Sequence, residues 1–246
     1  MDYKDYIAQQ KKETDHFWYV SRLGLIDRLL KSVQFSDKLI LDIGCGTGTE
    51  LETLSRYGQV VGSDNNPEAL QLAAARGYNT LLCDLDRDNL PKASYDVICA
   101  FDVLEHLPDD EKVLSNIYGA LRPGGYFIFT VPAFQFIFSP HDKAMGHFRR
   151  YGRAELLRKL GKANFSKVET YYWNFLLFLP IVFMRLVKKI IFGSNANELA
   201  RTEAQNLPRP INTLLKNILN AEVALFKNKL LPFGLTIYCI AQKNES

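Results

Sequence analysis

LDIGCGTGTE, residues 41–50, decides the fold. Leu39, Ile40, Leu41 and Ile43 form a short apolar run, and Gly44, Gly46 and Gly48 follow as G-x-G-x-G. A brief apolar run that ends in glycines reads as a buried strand. The residues after Gly48 then open a helix. Glycine lets the backbone turn tightly and approach a ligand with no side chain between them. The free N–H groups of the helix start can face an anion. The spacing is one residue short of the dinucleotide pattern G-x-G-x-x-G.

The same alternation spreads in both directions. Upstream, residues 3–33 carry Leu23, Ile26, Leu29, Leu30 and Val33 at helical spacing. Downstream, QVVGSD (59–64), TLLCDL (80–85), YDVICAFD (95–102) and YFIFTVP (126–132) read as strands two to five. Pro67 suits the first turn of a helix through Arg76, and a further helix spans about 109–121. Ala154–Lys162 is helical, SKVETYYW (166–173) is a sixth strand and GLTIYCIAQK (234–243) is the last. Strands and helices that alternate through short connections predict an α/β fold, a parallel sheet with helices on both faces.

The chain has 246 residues, 47% hydrophobic and 23% charged, with a net charge of +3. That suits one folded α/β unit with an insertion, and excludes a disordered chain. No nucleic-acid partner is expected from so small a net charge. Cys45, Cys83, Cys99 and Cys239 are widely spaced without a C-x-x-C pair, so buried thiols are expected rather than disulfides or zinc. The polar start MDYKDYIAQQKKE does not read as a signal peptide. A cytoplasmic location is expected, with contact at the inner membrane face as an alternative.

Three acids sharpen the glycine motif. Asp64 ends strand two, twenty residues past Gly44, where a carboxylate can take ribose hydroxyls. Asp84, followed by Leu85, ends strand three and can meet an adenine edge. Asp42 can counter an ammonium group. Acids without a phosphate-binding Lys or Arg fit a ligand with ribose, adenine and positive charge better than a pyrophosphate. An NAD oxidoreductase is therefore disfavoured.

LDIGCGTGT, VVGSDNNPEAL, CDLDRDNLP, YDVICAFDVLEHLPD and LRPGGYFIFTVP, in this order over residues 39–132, resemble the class I S-adenosylmethionine-dependent methyltransferases of the type 11/12 kind. The resemblance implies a Rossmann-like seven-stranded sheet with its last strand antiparallel, and S-adenosyl-L-methionine as cofactor. It implies that Asp42, Gly44, Cys45 and Gly46 hold the methionine end and that Asp64 and Asn65 hold the ribose. Asp84 and Leu85 would meet the adenine, with Phe101 flanking the cofactor. HFWYVSR (16–22), the HD-x4-H-x-RRY pattern and LPFG (231–234) are similar to a bacterial subgroup. That subgroup often accompanies polysaccharide, glycolipid and secondary-metabolite genes. Trp18 either covers the sulfonium by a cation–π contact or belongs to the core, and Arg22 is counted with the cofactor set.

HDKAMGHFRRY (141–151) holds two of the four histidines. It starts nine residues after strand five, at the carboxyl edge where α/β ligands bind. His106 follows strand four at the same edge, and His16 precedes the first helix. We assign His141 or His147 as general base, with Asp142 orienting a histidine, and His106 as pocket wall. Arg149 and Arg150 would meet an acidic or phosphate-bearing acceptor beside Tyr151. The plainer reading is that the arginines pair with acids and Tyr151 only starts the next helix. No metal is expected; His141, Asp142 and His147 are the alternative ligand set, at a spacing that matches no known signature. FDVLEH is not the Asn/Asp-Pro-Pro-aromatic clamp that methyltransferases of base or glutamine amides carry. A small-molecule or lipid-linked acceptor of sugar, quinone or secondary-metabolite type is expected, methylated at oxygen. The alternatives are C- or N-methylation of a similar acceptor, or a silent cofactor-binding protein.

A right-handed crossover makes strand six parallel, so about sixty residues leave from above the pocket before strand seven. The expected organisation is a helical segment over 1–37, a core over 38–174 and 232–246, and a cap over 175–231. Phe175–Leu231 carries eight Lys/Arg against three Glu. FLLFLPIVFMRLVKK (175–189) is too short and too interrupted by Pro180 to span a membrane. It is expected to pack against Leu214, Leu215, Ile218 and Leu219, with anionic-lipid contact or dimerisation as alternatives.

Overall fold

A computed structural model describes residues 15–33, 38–192, 207–225 and 231–245. Strand β1 (Lys38–Ile43) lies inside the sheet, with its Ile40, Leu41, Asp42 and Ile43 buried. Around it stand β2 (Gly58–Asp64), β3 (Asn79–Leu82), β4 (Tyr95–Phe101), β5 (Leu121–Pro132), β6 (Ser166–Trp173) and β7 (Thr236–Gln242). They form a seven-stranded sheet in the order β3-β2-β1-β4-β5-β7-β6. The pairs from β3 to β5 are parallel, and β7 runs antiparallel to both β5 and β6. The strand order reverses between β1 and β4, which opens a crevice beyond their carboxyl ends.

Two apolar layers cover the sheet. On one face, α1 (Phe17–Ser32), the single turn α2 (Leu51–Leu54) and α3 (Pro67–Ala75) bury Ile26, Leu29, Leu51 and Leu70 against Ile40, Val97 and Ile128. On the other, α4 (Asp110–Ala120) and α6 (Arg153–Lys162) bury Leu114, Ile117, Leu156 and Leu160 against Ile98, Phe127 and Phe129. Between β5 and α6 lies the short helix α5 (Pro140–Ala144). Asn66 starts α3: its Oδ1 accepts from Glu68 N at 2.9 Å and Ala69 N at 3.0 Å.

The segment between β6 and β7 contributes α7 (Phe178–Phe192) and α8 (Arg209–Leu225). Pro180 and Pro210 sit in their first turns, where a missing N–H breaks no helical bond. α8 packs along α1, and α7 runs beside the short turn Gln135–Ile137. Leu215, Ile218 and Leu219 of α8 and Phe178, Ile181 and Val182 of α7 all belong to the apolar layer on this face of the sheet, and Leu214 is exposed. No described helix is long and apolar enough to cross a membrane.

Several boundaries differ from the sequence reading; strand five, for one, already begins at Leu121. The first helix is described from Phe17, and the expected residues 3–14 lie outside the described part. The helix after Gly48 is one turn only. β3 stops at Leu82 because its partner β2 ends at Asp64; Cys83 N makes one last bond to Asp64 O at 3.0 Å, and Asp84 and Leu85 fall in the loop beyond.

Candidate active site

At the end of β1 the chain turns through Gly44 at φ +70° and Gly46 at φ +52°. A Cβ on Gly44 would sit 2.6 Å from Val103 Cγ2, so the loop lies flush against the residues that follow β4. A Cβ on Gly46 would meet nothing within 4 Å, which leaves open space above its backbone. Asp64 closes the loop: Gly46 N and Asn66 N donate to its two oxygens at 2.9 Å each. Asn65 beside it is exposed.

Asp42 is 2% exposed, and its Oδ2 is enclosed without a hydrogen-bond partner. Burial and the neighbouring Glu50 push its carboxyl well above the usual carboxylate range, with Arg22 opposing. A buried carboxylate oxygen facing an open glycine loop fits a cationic ligand. Arg22 reaches in from α1, with Nη1 2.9 Å from Asp102 Oδ2 and Nη2 on Glu50. Burial works against its charge, but Glu50 and Asp102 hold it firmly protonated. Asp102 stands at φ +57° and also accepts from Thr130 Oγ1 at 3.0 Å.

The other expected cofactor residues surround this loop less tightly. Phe101 ends β4 and is buried, as is Leu85. Asp84 accepts from Asp86 N at 3.2 Å. Cys45 is buried, and burial together with Asp42 pushes its thiol up, away from the thiolate form. Trp18 packs on Trp173 with ring centroids 5.3 Å apart, joined to the core that α1 covers.

The 141–151 stretch divides in two. Its Asp142 is wholly buried and heavily engaged. Ser139 N and Oγ donate to Oδ2 at 2.8 Å, Arg150 Nε donates to Oδ1 at 2.9 Å, and Arg185 Nη1 of α7 lies 3.3 Å from Oδ2. Burial opposes its ionisation, yet His147, Arg150 and Arg185 hold its carboxyl well below the ordinary range. Burial and Arg150 push Arg185 down to about 10. Asp110 is a second hub. It takes Arg149 Nη1 at 3.0 Å, Tyr151 Oη at 2.8 Å and Lys159 Nζ at 2.6 Å. Tyr151 is 0% exposed, and its backbone pairs with Pro132 and Phe134. Arg149 and Arg150 pair with Asp110 and Asp142, and Tyr151 is buried against the end of β5, two residues before the next helix begins.

The remaining histidine does face the crevice edge. His147 Nδ1 lies 3.4 Å from Asp142 Oδ1, and its ring meets His106 edge-on at 4.6 Å between centroids. Burial and His147 push the His106 imidazole down. Glu105 completes the group: it is 0% exposed and neither of its carboxylate oxygens has a hydrogen-bond partner. Burial and Asp102 push its carboxyl well up. His16 caps α1, accepting from Trp18 N at 3.3 Å, and His141 lies in the first turn of α5; the structure groups neither with His106 and His147. Sequence reasoning missed Glu105, Glu50 and Arg185. An acid directly before a histidine at the end of a parallel strand was the available signal for Glu105.

A methyltransferase-domain family profile matches residues 41–129, which are the strands and loops that build this crevice. Over residues 41–129 the chain thus resembles the methyltransferase-domain family. The chain is 34% identical over 102 residues to a ubiquinone biosynthesis O-methyltransferase of Serratia proteamaculans, covering 38% of this chain and 42% of that protein. It is 30% identical over 165 residues to a probable S-adenosylmethionine-dependent methyltransferase of Mycolicibacterium smegmatis, covering 63% and 62%. The aligned part thus spans less than two thirds of these relatives. Phosphoethanolamine N-methyltransferase 2 of Haemonchus contortus, solved with S-adenosyl-L-methionine, shares the fold at a TM-score of 0.57 and 19% identity, over 86% of this chain and 50% of that one. In a methyltransferase domain the unpartnered Asp42 oxygen and the space above Gly46 suit the cationic methionine end of the cofactor.

Proposed function

We propose that the protein transfers a methyl group from S-adenosylmethionine to an oxygen of a small-molecule or lipid-linked acceptor. One observation carries the reading. The enclosed, unpartnered Asp42 and the open Gly46 loop lie at the same strand edge as the His106–His147 pair. The first belongs with a cation, the second with an acceptor. Oxygen is favoured by the ubiquinone-pathway O-methyltransferase among the relatives. A lipid-linked acceptor is favoured by α7, whose Leu179 and Phe183 are 67% and 71% exposed while its Arg185 reaches the buried Asp142. That same helix is the candidate for peripheral membrane contact.

Asp42, Gly44 and Gly46 would hold the methionine end, Asp64 and Asn65 the ribose, and Asp84 with Leu85 the adenine. In the reaction the sulfonium C–S bond breaks as the acceptor O–C bond forms. The electron pair stays on sulfur and leaves neutral S-adenosylhomocysteine. The acceptor proton goes to His147, whose Nδ1 side is steadied by Asp142; His141 is the second candidate base. The protein's main contribution is in-line alignment in a site that excludes water.

The test is incubation with methyl-labelled cofactor and separate lipid and polar-metabolite extracts, read by mass spectrometry. A labelled O-methyl product is expected in the lipid fraction. Cofactor binding without label transfer to either extract would sink the reading in favour of a silent binding protein.

A further inference from the structure

We propose that Glu105, His106 and His147 form a binding site for one divalent transition-metal ion. One ligand atom from each lies within 4.8 Å of the other two, the one such group among the described residues. Bonds of about 2.0–2.2 Å to a shared ion need ligand atoms roughly 3–4 Å apart, so small side-chain rotations close the set. The sequence-level alternative of His141, Asp142 and His147 is replaced, because Asp142 is already filled by Ser139, Arg150 and Arg185.

The independent observation is Glu105. A carboxylate with 0% exposure and two unpartnered oxygens is rare in a folded protein and demands a partner. The nearby cations do not supply it. Arg22 is held by Glu50 and Asp102, and Arg150 by Asp142. An ion between Glu105 and the two imidazoles would. The outer contacts also suit ligation. Asp142 Oδ1 sits 3.4 Å from His147 Nδ1, which has no hydrogen-bond partner of its own, and His106 Nδ1 lies against Gly146. A carboxylate on one side of a histidine is a common way to orient it toward an ion. His147 is 14% exposed, so the ion has a way in from the crevice side. Two nitrogens and one oxygen select zinc, cobalt, iron or manganese over magnesium or calcium, which favour all-oxygen sets.

The consequence for catalysis rests on the methyl-transfer reading. An ion here stands at the acceptor edge with coordination positions left open. Such an ion would supply Lewis-acid chemistry toward an acceptor hydroxyl, and with His147 engaged as a ligand the acceptor proton would pass to His141, the second candidate base of the proposed reaction.

The test uses the full chain freed of metal by a chelator and titrated with cobalt(II), read by visible absorption and by metal content after desalting. One cobalt per chain is expected, displaced by zinc, with both ions raising the melting temperature. Glu105→Gln and His147→Asn each lower the affinity at least about 100-fold, and Asp142→Asn about 10-fold. S-adenosylhomocysteine binding and circular dichroism serve as the folding check on every variant. Cobalt binding in wild type no tighter than in the His106→Asn/His147→Asn double variant would overturn the site. Retained S-adenosylhomocysteine binding in that outcome would leave the methyltransferase reading standing.

Discussion

In the proposed cofactor site, Asp42 is the residue on which recognition of the methionine end would turn. Burial and Glu50 favour its protonated form in the free protein, whereas a cationic ligand favours the carboxylate. Binding of S-adenosylmethionine therefore releases a proton, and affinity rises with pH until Asp42 is ionised without ligand. Calorimetry in buffers of different ionisation enthalpy should show that release, and Asp42→Asn should remove it while weakening binding about 10-fold, ~1.4 kcal/mol. Affinity that falls as pH rises would count against this role. Gly44 makes a separate demand. Its φ of +70° and the 2.6 Å approach of Val103 mean that Gly44→Ala should lose roughly 1–2 kcal/mol of stability in denaturant unfolding. An unchanged midpoint would show that the loop can relax. Both residues are visible in the sequence, since a glycine pattern and an acid within it carry local meaning. Glu105 is not. Its significance depends on His147, 42 positions away, and on the absence of any partner, which only a folded chain reveals.

Among the elements, the stretch between β5 and α6 is held by buried acids. Tyr151→Phe removes the hydroxyl that donates to Asp110 and the Leu104 carbonyl, and thermal melts should report a loss of about 1–2 kcal/mol. Helix α7 is tied to the same region through Arg185, which donates to the Ile137 carbonyl at 3.1 Å and lies 3.3 Å from Asp142. Arg185→Ala should raise the acceptor KM several-fold and leave cofactor affinity alone; a loss confined to cofactor affinity would contradict the cap role. The strand and helix succession was legible because apolar runs, Pro67 and the glycine turns act locally. The roles of Arg149, Arg150 and Tyr151 were not. Arginine beside histidine reads equally as a ligand site or as a clamp, and the acids they pair with, Asp110 and Asp142, meet them only through the fold.

At the scale of the whole molecule, the central strands place the glycine loop, the acids and the histidine pair at one edge of the sheet. The buried hubs also set its acid stability. Asp110 and Asp142 both have folded-state pKa values held below the ordinary one, against the effect of burial. The unfolded chain therefore takes up protons first as pH falls below about 4, and stability present above that point is lost as pH drops through the folded values. Asp142→Asn should be less stable than wild type at neutral pH, with a shallower loss between about pH 4 and pH 2 in melting experiments. A parallel pH profile for the two proteins would contradict the assignment.

The cofactor site carries the rest of the account, and equilibrium binding tests it most directly. Titration calorimetry of the full chain should show one site per chain for S-adenosylmethionine and S-adenosylhomocysteine, weakened in Asp64→Asn, and no heat with NAD. No binding of either adenosyl ligand, or tight binding of NAD in their place, would contradict it.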